Sequence, residues 1–283
     1  MTATLPTAPL LDVAGLDVSY PAKGFRAPPF RALQDVSIHI DSGETLGLVG
    51  ESGSGKSTLG KAILGLAAVA AGTVHFEGRD ITHLKGRARR ALSSDIQVVF
   101  QDPYSSLNPV MSVESILAEP LRASGVSSAD ASRRIASLLD QVRMPAGSSA
   151  RYPGEFSGGQ RQRVAIARAL ALEPKLIVCD EPVSALDLST QARVLDLFVD
   201  LQRQTGVAYL FVTHDLGVVR YVSHRVAVMY GGRIVESGDT DTVTSEPSEA
   251  YTTKLLLASP VPDPAEQAER RRHYRALADK TAS

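Results

Sequence analysis

Short apolar runs alternate with stretches of helical periodicity along most of the chain. Residues 44–49 and 176–181 form short, largely apolar runs, whereas residues 160–172 and 188–203 repeat apolar side chains at helical spacing. Further strands are predicted at residues 72–78, 96–101, 209–212 and 225–230. Strands that alternate with helices favour a mainly parallel sheet covered on both faces. The pattern therefore predicts an α/β fold.

The N-terminal region departs from this alternation. Residues 10–20 are predicted to form a strand pair with a turn near Gly15. Residues 32–40 alternate apolar and polar side chains, as a half-buried strand does, and a turn at residues 41–43 leads into the next strand. An antiparallel β portion is therefore expected before the main sheet.

A helical insertion is predicted in the middle of the chain. Residues 112–143 carry apolar side chains at helical spacing, with interruptions at Pro120 and Gly125. Because strands precede and follow this region, residues 102–156 are expected to form an α-helical lobe that projects from the sheet.

Composition and charge exclude several classes of protein. The chain has 283 residues and a formal net charge of −1, so its total charge does not indicate a nucleic-acid partner. Its one cysteine, Cys179, excludes an intrachain disulfide and argues against a cysteine-ligated cluster. No apolar run approaches the roughly 20 residues that cross a bilayer, and the first residues lack the regions of a signal peptide. We therefore expect a soluble, cytoplasmic protein, and docking on a membrane protein stays open.

Residues 50–57, which read GESGSGKS, carry the most specific chemistry. They lie between a predicted strand and a helical run, the context in which G-x-x-x-x-G-K-S binds phosphate. Backbone N–H groups would surround an anion, Lys56 would reach the β- and γ-phosphates, and Ser57 would help to hold Mg²⁺. The flanking elements argue against an ordinary glycine-rich turn. The sequence predicts a nucleoside triphosphate site at Gly50, Glu51, Ser52, Gly53, Ser54, Gly55, Lys56, Ser57 and Thr58.

Two carboxylates, Asp180 and Glu181, end a uniformly apolar predicted strand. At the carboxyl end of a strand beside a phosphate loop, one carboxylate can hold Mg²⁺ while its neighbour polarises an attacking water. A surface acidic pair is the alternative. The apolar residues before the pair argue against it, because they place both carboxylates at the crevice of the sheet.

Two further clusters are less specific on their own. Ser157, followed by Gly158, Gly159 and Gln160, precedes a predicted helix and would form either an ordinary N-cap or a second anion site that serves a neighbouring molecule. His214 ends a buried strand and would either cap a helix or contact the γ-phosphate or the attacking water. A Ser/His/Asp hydrolase is formally possible, but the chain has no G-x-S-x-G elbow.

Gln101 and Tyr20 complete the set of candidates. Gln101 ends a core strand at the entry to the helical lobe, where it would sense Mg²⁺ and transmit its presence to the lobe. Tyr20 lies about thirty residues before the phosphate loop and would stack on the adenine base.

In this order and spacing, these motifs resemble the nucleotide-binding subunit of ATP-binding cassette (ABC) transporters over nearly the whole chain. The resemblance implies an ATPase domain at residues 10–240, with a RecA-like catalytic core at 10–101 and 157–240, the helical lobe at 102–156, and a C-terminal extension at 241–283. It assigns catalysis to Lys56, Glu181 and His214, and Mg²⁺ binding to Ser57, Gln101 and Asp180. It assigns nucleotide contacts to Tyr20, Gly50 through Thr58 as named above, Gln101, Ser157, Gly158, Gly159, Gln160 and Asp187. Phe156 stands where many relatives have leucine, and we expect no functional consequence.

Two segments are similar to the peptide-importer branch of this family, residues 101–109 (QDPYSSLNP) and residues 247–256 (PSEAYTTKLL). The branch includes importers of oligopeptides, dipeptides, nickel and glutathione, so the resemblance leaves the cargo open. It implies ATP and Mg²⁺ as cofactors and a second ABC ATPase subunit, identical or sister, as partner. It also implies two membrane permease subunits, an indirect extracytoplasmic solute-binding protein, and a peripheral location at the cytoplasmic face of the cell membrane.

The resemblance also gives the second anion site a use. Two subunits would pack head to tail, so that Lys56 of one and Ser157 of the other grip one ATP while Glu181 activates water. The main alternative is a non-transport ABC ATPase such as an accessory subunit of carbon–phosphorus lyase. The tail argues against a repair ATPase, and Glu181 with His214 argues against a nucleotide-binding regulator that does not hydrolyse.

Overall fold

The structure is a computed structural model that describes residues 8–21 and 29–258. Its strands are β1 Leu11–Tyr20, β2 Phe30–Ile40, β3 Thr45–Val49, β4 Ala71–Phe76, β5 Arg79–Asp80, β6 Ile96–Val99, β7 Leu176–Asp180, β8 Ala208–Val212, β9 Arg225–Tyr230 and β10 Arg233–Asp239. Its α-helices are α1 Lys56–Ile63, α2 Gly86–Ala91, α3 Pro103–Ser106, α4 Val113–Ala123, α5 Ser128–Gln141, α6 Gly158–Leu170, α7 Leu188–Thr205, α8 Leu216–Val222, α9 Thr240–Ser245 and α10 Ala250–Ala258. Short 3₁₀ turns occur at Ser148–Ala150 and Pro153–Glu155.

The main sheet has six strands in the order β10-β9-β3-β8-β7-β6. The pairs from β9 to β6 are all parallel, and only β10 pairs antiparallel, at one edge. The predicted mainly parallel sheet is therefore confirmed. Because β3, β8 and β7 are neighbours, the segments that follow them lie side by side at the carboxyl ends of the parallel strands. We call this end of the sheet its carboxyl edge.

The N-terminal sheet has the order β2-β1-β4-β5 and is antiparallel throughout. The prediction of a strand pair with a turn near Gly15 is wrong, because β1 is one strand that pairs with β2 on one side and β4 on the other. Gly15 has a φ of +59°, and the pairing register with β2 shifts between Val13 and Leu16. Glycine at a bulge kinks a strand without reversing it, and this is the signal that the sequence pattern presents as a turn.

Buried apolar residues cover the main sheet on both faces. One cluster joins the sheet to helices α4 to α7, with the Phe198 ring packed edge-on against Tyr209 and Phe211 at 5.5 and 5.4 Å between ring centroids. The other cluster joins the main sheet to α1 and the antiparallel sheet. Apolar side chains bury both faces of the parallel sheet. This burial explains why its strands are apolar throughout and do not alternate apolar with polar residues.

The helical lobe contains α3, α4 and α5. Ser112 caps α4 and Ser127 caps α5, each accepting a backbone N–H three residues on. The predicted interruption at Pro120 is wrong, because α4 continues through Pro120 to Ala123. The lobe's apolar residues belong to the same buried cluster as α6 and α7, and this packing outweighs the one backbone hydrogen bond that proline removes.

The last described helix, α10, lies against the end of β9. Tyr251, Leu255 and Leu256 pack on a cluster that includes Val49 and Val228. The predicted extension at 241–283 includes most of α9 and all of α10, its part from residue 259 lies outside the described residues, and its boundary stays a prediction. The search for a transmembrane helix over the described residues found no candidate.

Candidate nucleotide site at the carboxyl edge of the sheet

The carboxyl ends of β3, β8 and β7 bring three predicted motifs together. The phosphate loop follows β3, His214 follows β8, and Glu181 follows β7. Backbone hydrogen bonds extend the ladder past the strands: Thr213 N donates to Leu48 O at 3.1 Å, and Glu181 N donates to Val212 O at 2.9 Å. These bonds fix the relative positions of the motifs before any side chain is considered.

The glycines of the phosphate loop meet steric requirements that no other residue satisfies. A Cβ on Gly50 would lie 2.1 Å from Met229 O, and one on Gly55 would lie 2.6 Å from Ala32 O. Gly53 and Gly55 also have φ values of +81° and +112°, which L side chains rarely adopt. The loop is therefore packed closely against β2 and β9, and α1 begins directly at Lys56.

Lys56 is buried, with 5% of its surface exposed. Its Nζ donates to Gly50 O and to Glu51 O, each at 2.8 Å. Burial lowers the pKa of Lys56, and the negative charges of Glu181, Asp180 and Glu51 partly offset that effect. The ammonium therefore rests on carbonyls of its own loop, beside the space where a phosphate would lie.

Ser57 and Asp180 form the candidate Mg²⁺ site. Ser57 Oγ donates to Asp180 Oδ1 at 2.9 Å, so a hydroxyl and a carboxylate oxygen already face one position. Burial raises the pKa of Asp180, with a further contribution from the charge of Glu181, while the Ser57 hydrogen bond opposes the rise. A bound cation would relieve this cost of a half-buried carboxylate.

The donor set fits Mg²⁺, which takes oxygen ligands, uses only one or two protein carboxylates and keeps several waters. Within 8–21 and 29–258, no group of three or more His, Cys, Asp and Glu side chains is arranged to hold a metal. A site built from one serine, one aspartate and phosphate oxygens does not need such a group.

Glu181 has two polar neighbours across the strand ends. Its Oε2 lies 3.2 Å from His214 Nδ1 and 3.5 Å from Gln101 Nε2. Glu181 also has a φ of +47°, uncommon for a residue with a Cβ, and such backbone positions cluster at active sites. The structure therefore brings Gln101, Glu181 and His214 together, and their catalytic and Mg²⁺-binding roles stay predictions.

A cavity of about 260 Å³ lies over the phosphate loop. It is lined by Phe30, Ala32, Ser52, Gly53, Gly55, Lys56, Ser57, Thr58 and Glu181. Apart from Glu181, its polar lining comes from the loop and the start of α1, where backbone N–H groups and the helix dipole favour an anion. The cavity thus suits the phosphates of a nucleotide.

The sequence analysis missed Phe30, which lines the mouth of this cavity with 62% of its surface exposed. Tyr20, the predicted base-stacking residue, is Phe30's cross-strand partner and is 38% exposed, but it does not line the cavity. Its stacking role stays a prediction. In the sequence Phe30 only follows Pro28 and Pro29, and no motif marks it as a site residue.

The second predicted anion site is a capped helix N-terminus outside this cavity. Ser157 Oγ accepts the N–H of Gln160, and the Gln160 side chain accepts the N–H of Ser157. A Cβ on Gly159, which follows Gly158 in the first turn of α6, would lie 2.2 Å from the Thr190 side chain. This glycine therefore lets α6 pack closely against the start of α7. None of residues 157–160 lines the phosphate-loop cavity, and their predicted nucleotide contacts stay predictions.

Asp187 has a local structural role. It caps α7 by accepting the N–H of Thr190 at 3.0 Å and the hydroxyl of Ser189 at 2.8 Å. These hydrogen bonds lower the pKa of Asp187 to about 2. Its predicted nucleotide contact stays a prediction.

A second residue that the sequence analysis did not assign to the site is Tyr251 on α10. Its hydroxyl accepts the backbone N–H of Glu51 at 3.0 Å, across 200 positions of sequence. A contact of this range leaves no periodic or motif signal, so the sequence alone could not supply it.

Comparison with protein families and curated proteins identifies relatives of the chain. A family model described as ABC transporter matches residues 33–184. The oligopeptide transport ATP-binding protein OppD of Mycobacterium tuberculosis is 52% identical over 235 residues, which is 83% of this chain and 38% of OppD. The glutathione import ATP-binding protein GsiA of Salmonella typhimurium is 48% identical over 268 residues, 93% of this chain and 43% of GsiA.

A third relative is closer to this chain in length. The probable peptide ABC transporter ATP-binding protein y4tS of Sinorhizobium fredii is 48% identical over 261 residues, 90% of this chain and 74% of its own length. The chain spans only about two fifths of the length of OppD and GsiA.

Solved structures share the fold. CbiO1 from Clostridium perfringens, part of the ABC transporter complex cbiONQ, has a TM-score of 0.75 at 26% identity, covering 88% of this chain and 96% of that one. The ATP-binding cassette MJ0796, in a dimeric post-hydrolysis state bound to ADP and Pi, has a TM-score of 0.71 at 27% identity and covers 81% and 98%. The predicted fold class is therefore confirmed.

Proposed function

This chain belongs to the ABC transporter family, and on that premise we propose that it is the ATP-binding subunit of an importer. It hydrolyses ATP to drive the uptake of peptides or a similar small solute through partner permease subunits. The observation that carries this proposal is the convergence of Lys56, Asp180, Glu181 and His214 at one edge of the sheet, around a cavity formed by the phosphate loop. The relatives named for transport of oligopeptides, peptides and glutathione support the cargo class.

The residues of the chain divide the chemistry among them. Lys56 leaves the Gly50 and Glu51 carbonyls and binds the β- and γ-phosphates, while loop N–H groups hold the remaining phosphate oxygens. Ser57, Asp180 and Gln101 would hold Mg²⁺, which supplies positive charge to the phosphate oxygens when it is bound. Glu181 accepts a proton from the attacking water, and His214 holds the Glu181 carboxylate in place.

The predicted second subunit gives residues 157–160 their function. None of residues 157–160 lines the phosphate-loop cavity of its own chain, so in this proposal the N-terminus of α6 binds the γ-phosphate held by a neighbouring molecule. The dimeric state of MJ0796 supports such an assembly. In this proposal the partner is an identical or sister ATPase chain. Closure of the pair around ATP is transmitted to two permease subunits at the cytoplasmic face of the membrane, and an extracytoplasmic binding protein delivers the solute.

ATP binding and hydrolysis by the purified full chain test the first part of the proposal. Lys56→Ala should weaken ATP binding at least tenfold and abolish hydrolysis, because the buried ammonium has no substitute at the loop. Lys85→Ala, which removes an exposed lysine outside the site, is the control and should match the parent. Equal ATP binding by the parent and Lys56→Ala would sink the proposal.

Co-purification tests the transport assignment. The chain, expressed with its neighbouring genes, should be recovered with membrane permeases, and specific peptides should stimulate its ATP hydrolysis in reconstituted vesicles. Recovery with a soluble lyase core, and not with permeases, would contradict transport and favour the accessory ATPase of a carbon–phosphorus lyase.

A further inference from the structure

One peptide unit of the phosphate loop is hydrogen-bonded at both ends. The carbonyl of Gly50 accepts from Lys56 Nζ at 2.8 Å, and the N–H of Glu51, in the same peptide plane, donates to Tyr251 OH at 3.0 Å. The lysine belongs to the loop itself, whereas the tyrosine belongs to α10, 200 positions later. Helix α10, the last one in the described part of the chain, therefore contacts the phosphate loop directly through the Tyr251 hydroxyl.

Hydrogen bonds from outside the loop matter for the orientation of this peptide because its first residue is a glycine. Residue 50 must be glycine, since a Cβ would lie 2.1 Å from Met229 O. Glycine is the residue with the fewest limits on backbone rotation, and Gly50 has a φ of +152°. The orientation of the Gly50–Glu51 peptide is consequently set by its hydrogen bonds and not by side-chain sterics.

The position of the Tyr251 hydroxyl is itself well fixed. The ring packs on Tyr230, with 4.3 Å between centroids, and on the apolar cluster at the end of β9. At the start of α10, the carboxylate of Glu236 accepts the N–H and the hydroxyl of Ser248 at 2.7 and 2.8 Å and the N–H of Glu249 at 3.3 Å. The helix thus presents a preorganised acceptor to the loop.

We propose that Tyr251 is a positioning residue that fixes the Gly50–Glu51 peptide and so holds the phosphate loop ready for a triphosphate. When Lys56 turns from the Gly50 carbonyl to the phosphates, the Tyr251 hydrogen bond still holds that peptide. The loop then binds nucleotide without reordering, and the free energy of ordering it is not lost from binding. This inference rests on the proposed nucleotide-binding function.

The ionisation of Tyr251 does not complicate the test. Burial raises the pKa of its hydroxyl, although the hydrogen bond from Glu51 opposes that rise. Because this pKa is raised above the ordinary tyrosine value of about 10, the Tyr251 hydroxyl stays neutral near pH 7, where the test is made.

Tyr251→Phe tests the proposal because it removes the hydroxyl and keeps the ring on Tyr230. Tyr230→Phe removes the other hydroxyl of the same aromatic pair and is the matched control. For the full chain, Tyr251→Phe should raise the Kd for ATP and the KM for hydrolysis by roughly 3- to 10-fold, as the loss of one neutral hydrogen bond predicts. Its kcat at saturating ATP should change by less than about twofold, because Glu181 and His214 are untouched.

A second measurement does not depend on nucleotide. Hydrogen exchange at the Glu51 amide of the ATP-free protein should accelerate about 3- to 10-fold in Tyr251→Phe and stay at the parental rate in Tyr230→Phe. Equal exchange in the two variants overturns the structural part of the proposal. Faster exchange with an unchanged Kd overturns the link to binding, while the proposed ATPase function stands. If the parent and Tyr230→Phe bind no ATP, the proposed function fails, and the binding role of Tyr251 fails with it.

Discussion

His214 Nδ1 lies 3.2 Å from Glu181 Oε2, between the ends of two strands that pair in the sheet. The backbone places the two residues side by side, because Glu181 N donates to the carbonyl of Val212, two residues before His214. The imidazole is largely exposed, at 58%, whereas the carboxylate is only 20% exposed. The arrangement suits Glu181 as a proton acceptor whose orientation is set by His214. The exposed imidazole of His214 can also contact a γ-phosphate.

The first prediction concerns the Glu181–His214 pair. Glu181→Gln should lower kcat for ATP hydrolysis by about 10²- to 10⁴-fold, since an amide cannot accept the proton of the attacking water. ATP affinity should stay within about threefold of the parent. His214→Ala should lower kcat as well, and the double variant should be no slower than Glu181→Gln alone, because the histidine acts through the carboxylate.

Single-turnover hydrolysis and equilibrium ATP binding measure both quantities. Glu114→Gln makes the same chemical change on an exposed residue of the helical lobe and should leave both at parental values. Hydrolysis by Glu181→Gln at the parental rate would show that Glu181 is not the base. A double variant much slower than either single variant would show that His214 acts independently.

The parts of this site that the sequence predicted are those in which chemistry and chain order coincide. Lys56 and Ser57 lie in a continuous motif between a strand and a helix, and Asp180 and Glu181 end an apolar strand. For such residues the position along the chain also gives the position in space, because carboxyl ends of parallel strands share one edge of the sheet.

The parts that the sequence could not predict depend on long-range packing. Tyr251 reaches Glu51 only because α10 folds back on β9, and Phe30 reaches the cavity through the register of β2 against β1. At Gly15 and Pro120 the opposite holds, because the sequence predicts an interruption at each and the structure continues the strand and the helix through them. At Gly15, pairing on both sides of β1 outweighs the local preference for a turn. At Pro120, burial of α4 outweighs the local preference for a helix end.

The second prediction concerns the stability cost of the Mg²⁺-side carboxylate. Burial raises the pKa of Asp180, so ionised Asp180 destabilises the nucleotide-free protein. Asp180→Asn keeps an oxygen that accepts from Ser57 and removes the charge. Solvent screening at this partly open position limits the effect. At pH 7 and without Mg²⁺, we expect the Tm to rise by about 1–3 °C, while Mg²⁺-dependent hydrolysis is lost.

The pH dependence of this difference gives a sharper test. Well below the ordinary aspartate pKa of about 3.9, Asp180 is protonated in the folded and unfolded chain, so the difference in Tm between the variant and the parent should be smallest there. As the pH rises toward the elevated folded pKa, only the unfolded chain releases its proton, so the parent loses stability relative to Asp180→Asn. Asp41→Asn, in an exposed turn, is the control. If the difference in Tm between Asp180→Asn and the parent became smaller as the pH rises, burial would not be the cause of a raised Asp180 pKa.

The third prediction concerns the nucleotide base. Phe30 is 62% exposed at the mouth of the cavity, a position from which its ring can stack on a base. Phe30→Ala should weaken ATP binding by about 5- to 150-fold, the range expected for the loss of one aromatic stack. The Tm should change little, because the side chain is mostly exposed.

Tyr20→Ala separates Phe30 from the residue that the sequence favoured. Tyr20 and Phe30 are cross-strand partners, so the double variant should lose less affinity than the sum of the single variants. Isothermal titration with ATP and with inorganic triphosphate reports the base contribution directly, since only ATP binding should weaken. A large loss for Tyr20→Ala with none for Phe30→Ala would return the base-stacking role to Tyr20.

The fourth prediction asks whether the partner across the ATP is an identical copy. Ser157→Asp keeps a side chain that caps α6 but points a negative charge at the triphosphate of the neighbouring molecule, whereas Ser157→Asn keeps the cap without the charge. Ser157→Asp should lose hydrolysis at least tenfold, and Ser157→Asn should lose less. Both should keep the parental Tm, because the capping contact with Gln160 survives.

Mixing Ser157→Asp with Lys56→Ala then decides the geometry. In a symmetric head-to-tail pair, a mixed dimer carries both defects in one ATP site and none in the other. Half of the ATP sites in purified mixed dimers are therefore intact, and about half of the parental turnover should return if the sites act independently. Chains with different affinity tags establish that mixed dimers form, and ATP turnover by the twice-purified fraction measures the recovery. Mixed dimers without recovered turnover would show that Ser157 does not complete the site of an identical copy.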